Sequence, residues 1–278
     1  MRVVDDRAIR SHASVRFRSE YHYAVFEYWR SAKVLGYLER AGVRSLGRVL
    51  DDGCGGGGMG VSFAEEARDV VAIDPADRFR DAGVRLAEEK GVRNVRFARA
   101  DGTRLPFQSG SFDLVLSHAV IEHVGDPAAY LHEARRVLKP GGLLFLQTAP
   151  YLSPHGAHLP RLKIPVPFYL FVGRRAAFAA SCWMARHRPG WLDVDREGSS
   201  FVTLVEKGEK KTDDLLYRVT VRNLRRHIAD AGFRQMREDL YVSRLATRLL
   251  ARPVSSLVPQ VPLVRDVLVT NMEYLLAT

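Results

Sequence analysis

Three groups of residues able to do binding chemistry follow one another in the first half of the chain. The first is glycine-rich: Val49-Leu50-Asp51 runs into Asp52-Gly-Cys-Gly-Gly-Gly-Gly58, with Gly53, Gly55 and Gly57 in a G-x-G-x-G arrangement. Glycines there allow a tight turn after a strand and a close approach of backbone to a ligand, where a Cβ would collide. The second is Asp74, followed by Pro75, closing the β-branched run Asp69-Val-Val-Ala-Ile-Asp74. A carboxylate at that strand end can accept hydrogen bonds from both hydroxyls of a ribose. The third is Asp101-Gly102 after Arg99-Ala100. A glycine loop alone fits a pyrophosphate cradle or a plain turn equally well. No Gly-Lys-Ser/Thr follows it, which excludes a P-loop.

Further on, histidines gather. Ser117-His-Ala-Val-Ile-Glu-His-Val-Gly125 precedes a helix that opens at Asp126-Pro127. An imidazole titrates near neutral pH, so His123 and His118 are candidate general bases. A second group is Pro150-Tyr-Leu-Ser-Pro-His155-Gly-Ala-His158. Glu122, His123, His155 and His158 are the right ligand types for a divalent metal. They equally suit a loop whose histidines face substrate or solvent.

These groups need elements to hold them. Short β-branched runs at Arg48–Asp51, Asp69–Asp74, Asn94–Ala98, Phe112–Leu116 and Leu143–Gln147 alternate with helical stretches at about 59–68, 77–90 and 127–138. Repeated β-α-β with continuously apolar strands predicts a parallel sheet covered on both faces, with ligands at the strands' carboxyl ends. Lys139-Pro-Gly-Gly142 reads as the turn ending the helix from Pro127. A helix around Val221–Ala231 and strands near Phe233–Val242 and Asp266–Ala277 complete the pattern. Ahead of it, Tyr21–Ala41 carries Val25, Phe26, Trp29, Val34, Leu35 and Leu38 at helical spacing. The expected division is a helical cap over 1–46 and one α/β domain over 47–278, with an acceptor-side insertion at about 151–213.

Composition narrows the classes. A hydrophobic fraction of 46% and a charged fraction of 27% are those of a globular protein, not a disordered one. Two cysteines, Cys54 and Cys182, exclude a disulfide framework or a Cys-rich zinc site and suit a reducing cytoplasm. The first residues lack the apolar core of a secretory signal. The longest apolar run, Ile164–Ala185, is broken by Arg174-Arg175, at a cost of roughly 2.5–3.5 kcal/mol each in a bilayer. A span is therefore not expected, but peripheral membrane contact through 161–185 is open. The net charge of +10 comes mainly from dispersed arginines, so nucleic acid is not the expected partner. A homodimer surface in the insertion is a further reading.

Val49-Leu-Asp-Asp-Gly-Cys-Gly-Gly-Gly resembles the first motif of class I S-adenosylmethionine (SAM)-dependent methyltransferases, of the small-molecule type. Ala72-Ile-Asp-Pro75 resembles their second motif, and Asp101-Gly-Thr-Arg-Leu-Pro-Phe107 their adenine-side motif. Phe112-Asp-Leu-Val with Glu122-His123-Val, and Arg136-Val-Leu-Lys-Pro-Gly-Gly142, are similar to the two that follow. The resemblance implies a doubly wound, mostly parallel, seven-stranded Rossmann-like sheet, with an N-terminal helix and an insertion after strand 5. It implies SAM as cofactor. Asp51, Gly53, Gly55 and Gly57 would line its methionine part, Asp74 and Pro75 its ribose, and Asp101 and Gly102 its adenine, with Ser117 beside the site. His123 matches a position where some small-molecule members place a catalytic histidine. Two departures stand out. Asp52 replaces an apolar residue and would face the sulfonium or cap the helix. Ala119 opens what would otherwise be the metal-binding E-x-x-E-H, which weakens the metal reading. No Asn/Asp-Pro-Pro-Tyr follows the fourth strand, which argues against base-amino methylation. The expected activity is O-methylation of a small-molecule, sugar, glycolipid or isoprenoid-like acceptor. An RNA-directed enzyme and a non-catalytic SAM-binding scaffold are the alternatives.

Overall fold

Alternate side chains along each central strand enter different cores. Leu50, Val115, Leu144, Leu146 and Tyr274 join one buried cluster; Val49, Leu114, Leu116, Phe145 and Leu275 join the other. Such two-sided burial is what continuous apolar strands require. The structure is a computed structural model that describes residues 4–16, 18–153, 156, 169–191, 217–243, 246–247 and 257–278.

The chain opens with α1 (Asp6–Val15) and α2 (Glu20–Arg40). Then β1 (Arg48–Asp52), α3 (Gly58–Ala64), β2 (Asp69–Asp74), α4 (Phe79–Lys90), β3 (Val95–Arg99) and β4 (Phe112–His118) alternate. α5 (Pro127–Val137) and β5 (Leu138–Thr148) follow, then α6 (Tyr169–Val172) and α7 (Arg174–His187). α8 (Val221–Asp230), β6 (Arg234–Val242), α9 (Pro262–Leu268) and β7 (Val269–Ala277) end the fold. The seven-stranded sheet has the order β3-β2-β1-β4-β5-β7-β6. β7 alone runs antiparallel to its neighbours. α5 and α8 cover one face, and α2 and α3 the other. The doubly wound, mostly parallel sheet expected from the sequence is thus present.

The order reverses between β1 and β4, which opens the carboxyl-edge crevice where such sheets bind ligands. Caps fix the entries. Asp126 accepts from the Ala129 N–H at 2.9 Å with Pro127 in the first turn, and Thr220 and Asn223 form a capping box on α8.

Three expectations are corrected. Lys139-Pro-Gly-Gly142 is not a turn between helix and strand, because β5 starts directly at Leu138. Phe112 pairs with Leu138, and the register then shifts to Leu114–Leu143. The Pro-Gly-Gly bulge is absorbed inside the strand, where the Thr278 hydroxyl accepts from the Gly141 N–H and donates to the Lys139 carbonyl. Asp266 belongs to α9, not to the last strand, and its carboxylate accepts from the Val221 N–H at 3.0 Å. On α2 the buried face is Ala24, Phe26, Glu27, Tyr28, Ser31, Ala32, Val34, Tyr37 and Leu38, which leaves Val25, Trp29 and Leu35 only partly covered.

Candidate cofactor and acceptor site

β1 ends in two buried carboxylates and passes into the glycine loop. Gly53, Gly55 and Gly57 have φ of +85°, +53° and +84°, values that favour glycine. At Gly57 a Cβ would also stand 2.5 Å from the Phe97 ring, and at Gly58 it would overlap the Ala24 carbonyl of α2. Around Gly55, by contrast, the nearest atoms are Arg78 Nη2 and Glu27 Oε2, each 3.9 Å from a built Cβ. Gly55 therefore meets only ordinary contacts, from two charged side chains, on the loop where the resemblance would place the methionine part.

Asp74 holds this loop. One oxygen accepts from the Gly55 N–H at 3.0 Å, the other from the Ala76 N–H at 2.9 Å, and Arg78 lies 3.7 Å away. Pro75 is exposed and its carbonyl accepts from Arg99 Nε at 2.9 Å. Asp101 accepts from the backbone N–H and the hydroxyl of Thr103, both at 2.8 Å, which leaves the turn pre-shaped. Gly102 is buried so tightly that a Cβ would stand 2.5 Å from Tyr130 and 2.7 Å from the Asp52 carboxylate. The Tyr130 hydroxyl donates to buried Ser117 at 2.8 Å.

Asp52 thus faces the adenine-side turn, neither capping a helix nor projecting over the glycine loop. Burial pushes its carboxyl up to about 7, a hydrogen bond with Tyr130 pulls it down, and Asp101 and Asp74 raise it. Asp51 also rises to about 7, through burial first and then the charges of Asp52 and Asp74. One oxygen of each is buried without a hydrogen-bond partner. The free oxygen of Asp51 lies against Gly60 of α3 and the Asp52 carboxylate against Gly102, so the pair gives the end of β1 a buried acidic character that suits a cationic ligand nearby.

β4 delivers the residues expected on the acceptor side. Its carboxyl end passes through Ala119, whose φ of +58° costs a residue with a Cβ about 1–2 kcal/mol. Val120 then packs so close to Gly53 that a Cβ there would clash with it. A one-turn 3₁₀ helix, Ile121–His123, follows. Glu122 is buried and accepts from the Thr148 hydroxyl at 2.9 Å, tying this turn to the end of β5. Burial raises its carboxyl, with His123 opposing. His123 is exposed at the rim. His118 is half-buried, and its Nδ1 lies 3.4 Å from Arg30 Nη2. Burial and the Arg30 charge hold the imidazole well below its ordinary value. A guanidinium only donates, so Nδ1 accepts and the proton sits on Nε2.

The structure therefore brings Asp51, Asp52, Gly53, Gly55, Gly57 and Asp74 together, with Asp101, Gly102 and Ser117 on the adjoining strand ends. Among the described residues, no three or more His, Cys, Asp or Glu side chains gather as a metal would require. His155 and His158 lie outside the described residues. Glu27, Arg30, Arg78 and Tyr130 were missed from sequence. A Glu-Arg pair at i and i+3 on the apolar face of α2 was the available signal.

Strand order, positive-φ loop and acidic strand ends define an open, doubly wound α/β fold with a crevice at its carboxyl edge. Comparison with known proteins adds a similarity: residues 50–146 match a family model described as a methyltransferase domain. Over those residues the chain is similar to methyltransferase domains, and its fold is that of solved methyltransferase structures. An uncharacterized methyltransferase of Mycobacterium sp. (strain JLS) is 42% identical over 110 residues, 40% of this chain and 42% of that protein. Ubiquinone biosynthesis O-methyltransferase of Acinetobacter baumannii (strain AYE) is 35% identical over 111 residues, 40% of this chain and 47% of that one. The uncharacterized methyltransferase YcgJ of Bacillus subtilis is 31% identical over 151 residues, 50% of this chain and 60% of YcgJ. Its crystal structure aligns over 89% of this chain and 97% of its own, with a TM-score of 0.52 and 16% identity. The chain thus spans about half the length of the curated relatives it matches.

Proposed function

We propose that the protein transfers a methyl group from SAM to a hydroxyl of a small acceptor of sugar, glycolipid or isoprenoid-like kind, with His123 as general base and α6–α7 resting on an anionic membrane. When bound, SAM supplies a methyl group activated by its sulfonium. The chain's own residues then hold the cofactor, order the acceptor loop and take up the hydroxyl proton.

The observation that carries the reading is the packing of Val120 onto Gly53. It sets the β4 connection directly beside the glycine loop, with His123 exposed on the next turn. Orientation of this kind supplies several kcal/mol, and a positioned base about 10²–10⁴-fold. His118 is the weaker base: its Nδ1 is occupied by Arg30, and it serves better to fix that guanidinium. The relative named for O-methylation in ubiquinone biosynthesis supports a hydroxyl acceptor. For the membrane contact, Tyr151–Trp191 holds Arg161, Lys163, Arg174, Arg175, Arg186 and Arg188 with no Asp or Glu. Phe171, Trp183 and Trp191 of this stretch are 80%, 56% and 56% exposed, and aromatic and cationic side chains together favour a bilayer interface. No helix among the described residues is long and apolar enough to cross a membrane.

Replacement of His123 by Ala tests the base. Turnover of methyl-labelled SAM into the lipid or polar fraction of a cell extract should fall about 100-fold or more, with SAM affinity kept. Unchanged turnover would remove His123 from the chemistry. Label appearing only in RNA would replace the acceptor class, and no label despite SAM binding would favour a scaffold.

A further inference from the structure

Two ion pairs in this chain have contrasting geometry. Arg225 and Glu238 meet in parallel, Nε to Oε1 at 2.8 Å and Nη2 to Oε2 at 2.5 Å, so each satisfies the other. Glu27 and Arg30 touch only once, Nη2 to Oε1 at 3.3 Å. Glu27 Oε2 and Arg30 Nε are both buried and both without a hydrogen-bond partner. Leaving a buried charged group short of partners is costly, and a pair whose purpose was structural would close as Arg225–Glu238 does.

The place of the open pair is informative. α2 packs along α3 and α4, and Ala24 seals the loop at Gly56 and Gly58. One turn later Glu27 Oε2 reaches Gly55, 3.9 Å from a Cβ built there, as Arg78 Nη2 does. Arg30 is held from behind by His118 and by the Phe26 ring, 5.0 Å from its guanidinium carbon. A carboxylate acceptor and a guanidinium donor thus lie side by side, at the edge of the loop proposed to take the cofactor's methionine part. That is the complement of an α-amino-acid zwitterion, whose ammonium needs the carboxylate and whose carboxylate needs the guanidinium.

We propose that Glu27 and Arg30 form the receptor for the amino-acid end of SAM, with Glu27 taking the ammonium and Arg30 the carboxylate. The inference rests on the cofactor reading above and adds to it a wall outside the residues 50–146 that match the family. α2 then works as part of the binding site, beyond its packing role.

Calorimetry on the full chain tests this with three ligands: SAM, S-adenosylhomocysteine and 5′-methylthioadenosine. The last keeps the adenosine and thioether but lacks the amino-acid group. Glu27→Gln and Arg30→Gln should each weaken SAM and S-adenosylhomocysteine about 10–100-fold, the value of a hydrogen bond to a charged partner. Both variants should bind 5′-methylthioadenosine within about twofold of wild type, and Arg30→Lys should recover part of the SAM loss. Equal losses for all three ligands would reduce the pair to a structural role and overturn the proposal. So would wild-type protein that binds SAM no more tightly than 5′-methylthioadenosine. Wild-type protein that binds none of the three overturns the cofactor reading instead, and this proposal with it.

Discussion

The two ends of the sheet's carboxyl edge are finished in opposite ways. At β1–β3, backbone, rings and carboxylates are in such close contact that Gly57, Gly58 and Gly102 have no room for a Cβ. Charges there are buried: Asp51, Asp52, Asp74 and Glu27 all face inward. Past β4 and β5, the strained Ala119 and the exposed His123 give way to α6–α7, whose large aromatic side chains and arginines face out. One side, the proposed cofactor side, is built of contacts each residue must satisfy individually. The other is defined by composition, which many sequences could meet. A fold that keeps its cofactor while changing acceptors needs such an asymmetry.

The sharpest way to break the comparison is one methyl group on each side. Gly58→Ala drives a Cβ into the Ala24 carbonyl, so α2 must shift, and we expect a loss of about 3 kcal/mol in denaturant unfolding. Gly125, on the acceptor side, has nothing within 4 Å, and Gly125→Ala should stay within about 0.5 kcal/mol of wild type. Equal costs would show that the two edges are packed alike. Next in size, Asp74→Ala removes the acceptor for the Gly55 and Ala76 N–H groups and the proposed ribose ligand together. SAM affinity by calorimetry should drop roughly 100-fold, while an unchanged value would displace the site.

The same asymmetry governs what the sequence discloses. Asp69–Asp74 is a strand with the bounds read from its β-branched run, and Gly53, Asp74 and Asp101 lie on successive strand ends as their spacing implied. These residues carry their reason locally, as a φ, a turn or a strand end. Glu27 and Arg30 do not. Nothing in the local pattern of α2 shows which face meets the loop, and a charge on an apolar helix reads as solvated until the tertiary contact is known. The Pro-Gly-Gly bulge and the helical Asp266 are not legible locally for the same cause, since strand pairing and the contact with α8 decide them. α1 escaped notice altogether, a short polar helix whose only buried residue is Ile9.

Buried acids also give the cofactor side a pH signature. Burial, before any neighbouring charge, lifts Asp51 and Asp52 to about 7 and Glu27 to about 8. A carboxyl raised above its unfolded value binds more protons folded than unfolded, so its stabilisation is complete below about pH 4 and is lost as pH rises toward 7–8. Ligand-free protein should therefore melt at a progressively lower temperature from pH 5.5 to 8. Saturating SAM, a cation among those carboxylates, should flatten the slope. A melting temperature that rises across this range would show that the acids are ionised and paired.

The smallest effect belongs to the exposed side and separates it most cleanly from the first. Each arginine near an anionic bilayer contributes about 1 kcal/mol, or roughly fivefold in partitioning. Arg186→Gln with Arg188→Gln should then weaken binding to phosphatidylglycerol-containing vesicles about 25-fold by co-sedimentation, and Trp183→Ser should weaken it further. Neither change should alter SAM affinity, because no contact between α7 and the glycine loop is seen among the described residues. Binding to pure phosphatidylcholine vesicles should be weak for all forms, since the charge term is missing. Wild-type protein that ignores anionic vesicles but binds RNA with a steep salt dependence would assign the acid-free stretch to phosphate backbones. That result would overturn the membrane contact and leave the cofactor side as described, the independence that the contrast between the two edges requires.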